Sequence, residues 1–133
     1  MDVSDIIQKQ AAVLDKFRKT LKAFFDHLIM WRGDIPQLTT MKMGLDIDIP
    51  VEMFLNRCIE IMIPNEKAIN ERDSLFFQQT PKIFGDMNGN DTGLIQQIWT
   101  SPTTDDNARE KLWKWVDAFL TLSKNYVDAG RTV

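Results

Sequence analysis

Apolar residues near the start of the chain recur every seven positions, with Ile7, Leu14, Leu21 and Leu28 in one column and Val3, Phe17, Phe24 and Trp31 in the other. The seam predicts one long amphipathic helix from Ser4, a suitable N-cap, to about Met30, with Gly33 stopping it. Phe25 and Ile29 widen the stripe over the last two turns, so that end is expected deeper in the core than the end carrying Gln10. Asp34, Pro36 and Gly44 frame a short capped helix, and "LDIDIP" reads as an extended connector because it has no partner strand. Val51, Phe54, Leu55, Cys58, Ile59 and Met62 run in threes and fours, predicting a helix from Val51 to about Ile63 that Pro64 ends.

"NEKAINERDSLFF" is expected to form one further short helix that places Ile69, Arg72 and Phe76 on adjoining turns. The breaker-rich "TPKIFGDMNGNDTG" follows as a loop, its 85–93 portion a candidate for a mobile or partner-ordered surface segment, and then a brief helix from Leu94 to Trp99. Thr104 is read as the N-cap of the last helix, with Asp105 and Asp106 in its first turn, where the helix dipole favours anions. That helix should run to about Asp128 along a seam of Ala108, Leu112, Trp115, Phe119, Leu122 and Tyr126, with Gly130 closing it.

These elements define an all-α class: a helical bundle with long N- and C-terminal helices, one medium helix and two or three short ones, in a single domain spanning 1–133. One local pattern resists a simple stripe. Trp113 and Trp115 lie about 200° apart around a helix axis, so one apolar face cannot hold both. With Trp115 in the seam, Trp113 shares a flank with Leu120 and Val127, again seven apart. Either the helix is wrapped on two sides by the domain's own short helices, or the flank is a hydrophobic patch for a partner.

Composition narrows the function classes. Eight Phe, four Trp and a hydrophobic fraction of 44% belong to a folded chain rather than a disordered one. A formal charge of -3 without a Lys/Arg run offers no field for a phosphate backbone, so nucleic acid is not an expected partner. Cys58, the single cysteine, cannot form an internal disulfide, which suits a reducing compartment. The N-terminus alternates charged and apolar residues unlike a signal peptide, and no apolar run approaches a membrane span.

Patterns that carry chemistry are weak. "DMNGND" with Gln97 mimics a calcium loop but lacks the obligatory Gly at the sixth position and the Glu at the twelfth. "RGD" at Arg32 to Asp34 is accounted for by a helix end and the Asp cap of the next helix. His27, the only histidine, sits beside the buried stripe near a helix C-terminus, where a cation is favoured, and reads as structural. Cys58 lies on an apolar face and reads as a small hydrophobe. With one His and one Cys a zinc site would have to be completed by carboxylates, and there is no Gly-rich phosphate loop, so neither a metal nor a cofactor is expected. Arg72 with Asp73 or Glu71 is read as a structural polar pair fixing a turn, and an enzyme would require Glu71, Arg72, Asp73 and His27 to share one pocket.

The order of "FFDHLIMWRGDIP", "RDSLFF" and "IWTSPTTDDNAREKLWKWVDAFLTLSKNY" resembles a family of small all-helical proteins encoded by large nucleocytoplasmic DNA viruses of algae and protists. The resemblance covers about Phe24 to Tyr126, mostly through apolar positions, with Arg72, Asp73, Asn107 and Lys114 as the polar identities. The chain departs from it at Trp115, in the longer loop before Leu94, and at Ser101-Pro102. It implies a virus-encoded product of the host cytoplasm, destined for the virion or the replication compartment, and implies no enzymatic activity.

The expectation is therefore a non-enzymatic structural or interaction protein, such as a minor capsid or internal virion component. Its partners would be other virion subunits or further copies of itself. The candidate interface residues are Ile7 and Gln10 on the first helix and Trp113, Leu120 and Val127 on the last. The alternative is an intracellular adaptor that takes a host or viral helix in a groove between its terminal helices.

Overall fold

The seven-residue seam forms α1, Val3–Trp31, in a computed structural model that describes residues 3–31, 39, 42–43, 51–79, 98–102 and 104–130. It is followed by α2 (Val51–Met62), α3 (Glu66–Asn70), a 3-10 turn at Ser74–Gln79 and α4 (Asp106–Ala129). No strand occurs among the described residues, and the chain is an all-α bundle with long first and last helices. The proposed helix between Asp34 and Gly44 lies outside the described residues except for Thr39, Lys42 and Met43, which are helical. The "LDIDIP" connector, the "RGD" tripeptide, the loop through 85–93 and the calcium-like stretch also lie outside them. Of the brief helix from Leu94 to Trp99, Ile98 and Trp99 are described and are helical.

The C-terminal helix α4 packs against α1, α2 and α3, while α1 also touches α2. Antiparallel pairing of α1 and α4 brings Phe17 to Phe119 at 5.5 Å between ring centroids, and Phe24 to Phe119 edge-on at 5.4 Å. These offset and edge geometries suit aromatic quadrupoles. Phe17, Leu21, Phe24, Phe25 and Leu28 of α1 are buried, as are Val51, Phe54, Leu55, Cys58 and Met62 of α2. The seam thus deepens toward the C-terminal end of α1, where Phe25 widens it.

At its other end α1 outruns its partner. Gln10 donates its side-chain amide to the carbonyl of Tyr126 at 3.4 Å, and Gly130 caps α4 beside it. Gly130 sits at φ -83°, in the right-handed region, so left-handed freedom is not why glycine stands there. A Cβ at this position would meet only the tip of the flexible Gln10 side chain, which can turn aside, so the contact does not by itself require glycine. Beyond that contact the seam residues Val3 and Ile7 are 66% and 61% exposed.

Two local expectations are corrected. Asp105, not Thr104, caps α4: its carboxylate accepts from the Ala108 N–H at 2.8 Å, while buried Thr104 donates its hydroxyl to the Ile98 carbonyl at 2.6 Å. The buried carbonyl of Ile98 needs a donor, and the residue one step along is free to serve as cap. The single helix expected over "NEKAINERDSLFF" is broken. Asp73 N–H reaches the Ala68 carbonyl at 2.8 Å and Arg72 N–H the Ile69 carbonyl at 3.1 Å, a Schellman closure of α3. Arg72 takes the left-handed position of that closure at φ 56°. The reversal lets Ile69 and Phe76, buried to 0% and 1% exposure, both enter the core.

Candidate functional site

The tryptophan pair is resolved by α4 having partners on two sides, and the roles expected for the two rings are exchanged. Trp113 is 4% exposed and lies in the core, with Trp99 edge-on at 5.5 Å and Phe76 at 6.1 Å. Trp115 is half-buried, 5.5 Å from Phe24 and 6.0 Å from His27 on α1. Two rings about 200° apart are therefore both covered, one by the segment around Trp99 and the 3-10 turn, the other by α1. Leu120, at 5% exposure, is interior as well, and Val127 is half-buried. The flank read as a docking patch is part of the molecule's own packing. Of the interface candidates only Ile7 stands open, and Gln10 is half-buried against α4.

The polar pair is also corrected. Arg72 does not hold Asp73. Its guanidinium donates to both carboxylate oxygens of Asp117, each at 2.8 Å, reaches Glu110 at 3.4 Å, and lies 5.4 Å above the Trp113 ring. Glu110, Trp113 and Asp117 stand three and four apart on one face of α4, so one cation meets two carboxylates and an aromatic face together. The hydrogen bond to Asp117 pushes the Arg72 pKa further up. Asp73 instead accepts from the Leu75 N–H at 3.1 Å and starts the 3-10 turn. Among 16 Lys and Arg, no spacing rule singles out the one that crosses to this face, so the contact was not legible in sequence.

His27, read as structural, is packed among rings, and the helix end does not raise its pKa. Burial lowers its pKa below 6.5, with Lys111 adding to the effect, and its ring packs between Trp31 at 6.4 Å and Trp115 at 6.0 Å. It borders a cleft of about 230 Å³ shared with Trp31, Asp105, Asn107, Ala108 and Lys111. Arg72 borders another of about 320 Å³, with Glu66, Asn70, Asp117, Thr121 and Lys124. In this second cleft Lys124 is paired to Glu66 at 2.8 Å. Residues that an enzyme reading would need together thus line separate clefts. Cys58 is fully buried, and burial pushes its thiol up to about 12, which leaves no thiolate for nucleophilic work.

A groove of about 280 Å³ runs between α1 and α4, lined by Lys16, Thr20, Asp117, Ala118, Thr121, Leu122 and Asn125. Although most of these residues are polar by type, the surface they present to the groove is mostly apolar, from their aliphatic stems together with Ala118 and Leu122. Large apolar side chains also stand open at Val3 and Ile7, at the start of the α1 seam, and at Met30, Met43 and Leu75. Among the described residues no helix is long and apolar enough to cross a membrane, and no three His, Cys, Asp or Glu are grouped to hold a metal.

Comparison with protein-family models, curated proteins and solved structures yields no match.

Proposed function

We infer that this chain is a non-enzymatic interaction protein, a minor capsid or internal virion component of a large DNA virus, that works by burying helix surface against other subunits. The observation that carries the reading is the bare end of α1, where Val3 and Ile7 continue the core's own seam into solvent. A seam of this kind is complementary to another apolar helix stripe. The polar clusters support the same reading by their engagement: Arg72 with Asp117 and Glu110, Lys124 with Glu66, and His27 between two indoles. The virion assignment within this class draws on the motif order from Phe24 to Tyr126.

The test is quantitative mass spectrometry of gradient-purified particles against infected-cell lysate, for virus carrying the native chain and for virus carrying Ile7→Asp. Retention of the native chain in particles and its loss with Ile7→Asp, at equal expression, is the expected outcome. A chain absent from particles and abundant in soluble lysate would point to the adaptor role instead.

A further inference from the structure

We propose that the cleft between the C-terminal end of α1 and the first turns of α4 binds a small flat aromatic carboxylate, its ring against Trp31 and His27 and its carboxylate on Lys111 and Asn107. The cleft exists because the two antiparallel helices fill the space between them unevenly. Trp115 packs on Phe24 and His27, whereas two turns nearer the start of α4 the residue that shares the cleft with Trp31 is Ala108. A methyl group there leaves about 230 Å³ open between the helices. An apolar cavity of about 150 Å³ holds benzene, so one ring with a small substituent fits.

The two walls suit different parts of one ligand. From α1 come His27 and Trp31, rings four residues apart with centroids 6.4 Å from each other and planes 38° apart, a surface that favours a flat π system. From α4 come Asn107 and Lys111, also four apart and therefore on one face. A helical side chain leans toward the N-terminus of its helix, which carries the Lys111 ammonium back over the turn that holds Asn107. Among the described residues neither side chain has a hydrogen-bonding or ionic partner, so an ammonium and an amide are open to one carboxylate. Asp105, the acidic residue of the lining, already accepts from the Ala108 N–H at 2.8 Å. It stands about 9 Å along the helix from Lys111 and fixes the ligand's direction, carboxylate toward Lys111 and the neutral edge of the ring toward Asp105.

Binding is coupled to a proton on His27. Burial and the charge of Lys111 both favour its neutral ring, and Asp26 beside it on α1 is held by Lys42. An anion seated between Lys111 and the imidazole favours the charged ring against both effects and raises the His27 pKa. Affinity therefore grows as pH falls from about 7.5 to about 5.5, a range in which a carboxylic acid of pKa ~4 stays ionised.

NMR titration of the full chain with benzoate tests the site, because the ring protons of the only histidine report from inside it. A saturable shift with a Kd of about 1 mM is expected for a ligand of this size, together with a His27 titration midpoint that rises when benzoate is present. Lys111→Met should weaken binding about fivefold and Lys111→Arg should restore most of it. Benzamide, which keeps the ring without the charge, and benzylamine, which reverses the charge, should bind more weakly than benzoate. So should inorganic phosphate, which cannot use the ring wall. Absence of a saturable shift up to about 20 mM benzoate overturns the proposal. Equal binding of benzylamine or phosphate, native-like binding by Lys111→Met, or a His27 midpoint that benzoate leaves in place does the same.

Discussion

Arg72 holds a left-handed backbone, φ 56°, that a side chain with a Cβ adopts at a cost of about 1 kcal/mol. It stays there because its guanidinium grips Asp117 and Glu110 and covers the Trp113 ring. Arg72→Ala keeps the strain and loses the grip, and should destabilise by about 1–2 kcal/mol, a modest figure because the pair is about one-third exposed and salt screens it. Arg72→Gly loses the same contacts but relieves the backbone, so it should be the more stable of the two by roughly 1 kcal/mol. Urea midpoints compare them directly, and equal midpoints would contradict the account of strain. His27 makes a second residue-scale case. Its pKa is lowered by burial, so the unfolded chain binds the proton more readily, and the neutral ring's contribution is complete above pH 6.5. That contribution is lost as pH falls below 6.5 through the folded-state pKa. As the only histidine, its ring proton signal can be titrated without ambiguity, and a midpoint at or above 6.5 would refute the burial argument.

At the scale of elements, α4 is the post around which the others stand. Its two indoles differ in burial, and the difference sets an order of costs. Trp113→Ala removes a ring packed on Trp99, Phe76 and Arg72 and should destabilise by about 3–5 kcal/mol. Trp115→Ala opens a half-exposed face over Phe24 and His27 and should cost about 1–2 kcal/mol. Denaturant unfolding that ranked the two the other way would contradict this packing. Any loss of binding in Trp113→Ala would follow from lost stability, since the ring has no face free for a partner. The extent of α1, the span of α2 and their buried stripes were legible because a helix seam depends only on spacing along one chain. The break at Arg72 was not, because "NEKAINERDSLFF" carries neither Gly nor Pro at the reversal. Tertiary contacts from α4 compensate a conformation that local preference disfavours.

The molecule as a whole can be followed through Cys58. The thiol is 1% exposed and its pKa is pushed up to about 12, so alkylation at neutral pH should wait for opening of the bundle. Labelling rates in dilute urea should then converge on the rate set by global unfolding, and fast labelling of the native chain would show a local route to α2. The sequence by itself determined the all-α class, the long terminal helices and the seam that outlasts its cover, since periodicity and helix signals are local. Tertiary structure alone decided that Trp113, not Trp115, is the interior indole, that Arg72 answers Asp117 rather than Asp73, and that Thr104 yields the cap to Asp105. Each of these depends on which faces of different helices meet, and a residue's position along the chain does not encode the neighbour that packing brings across.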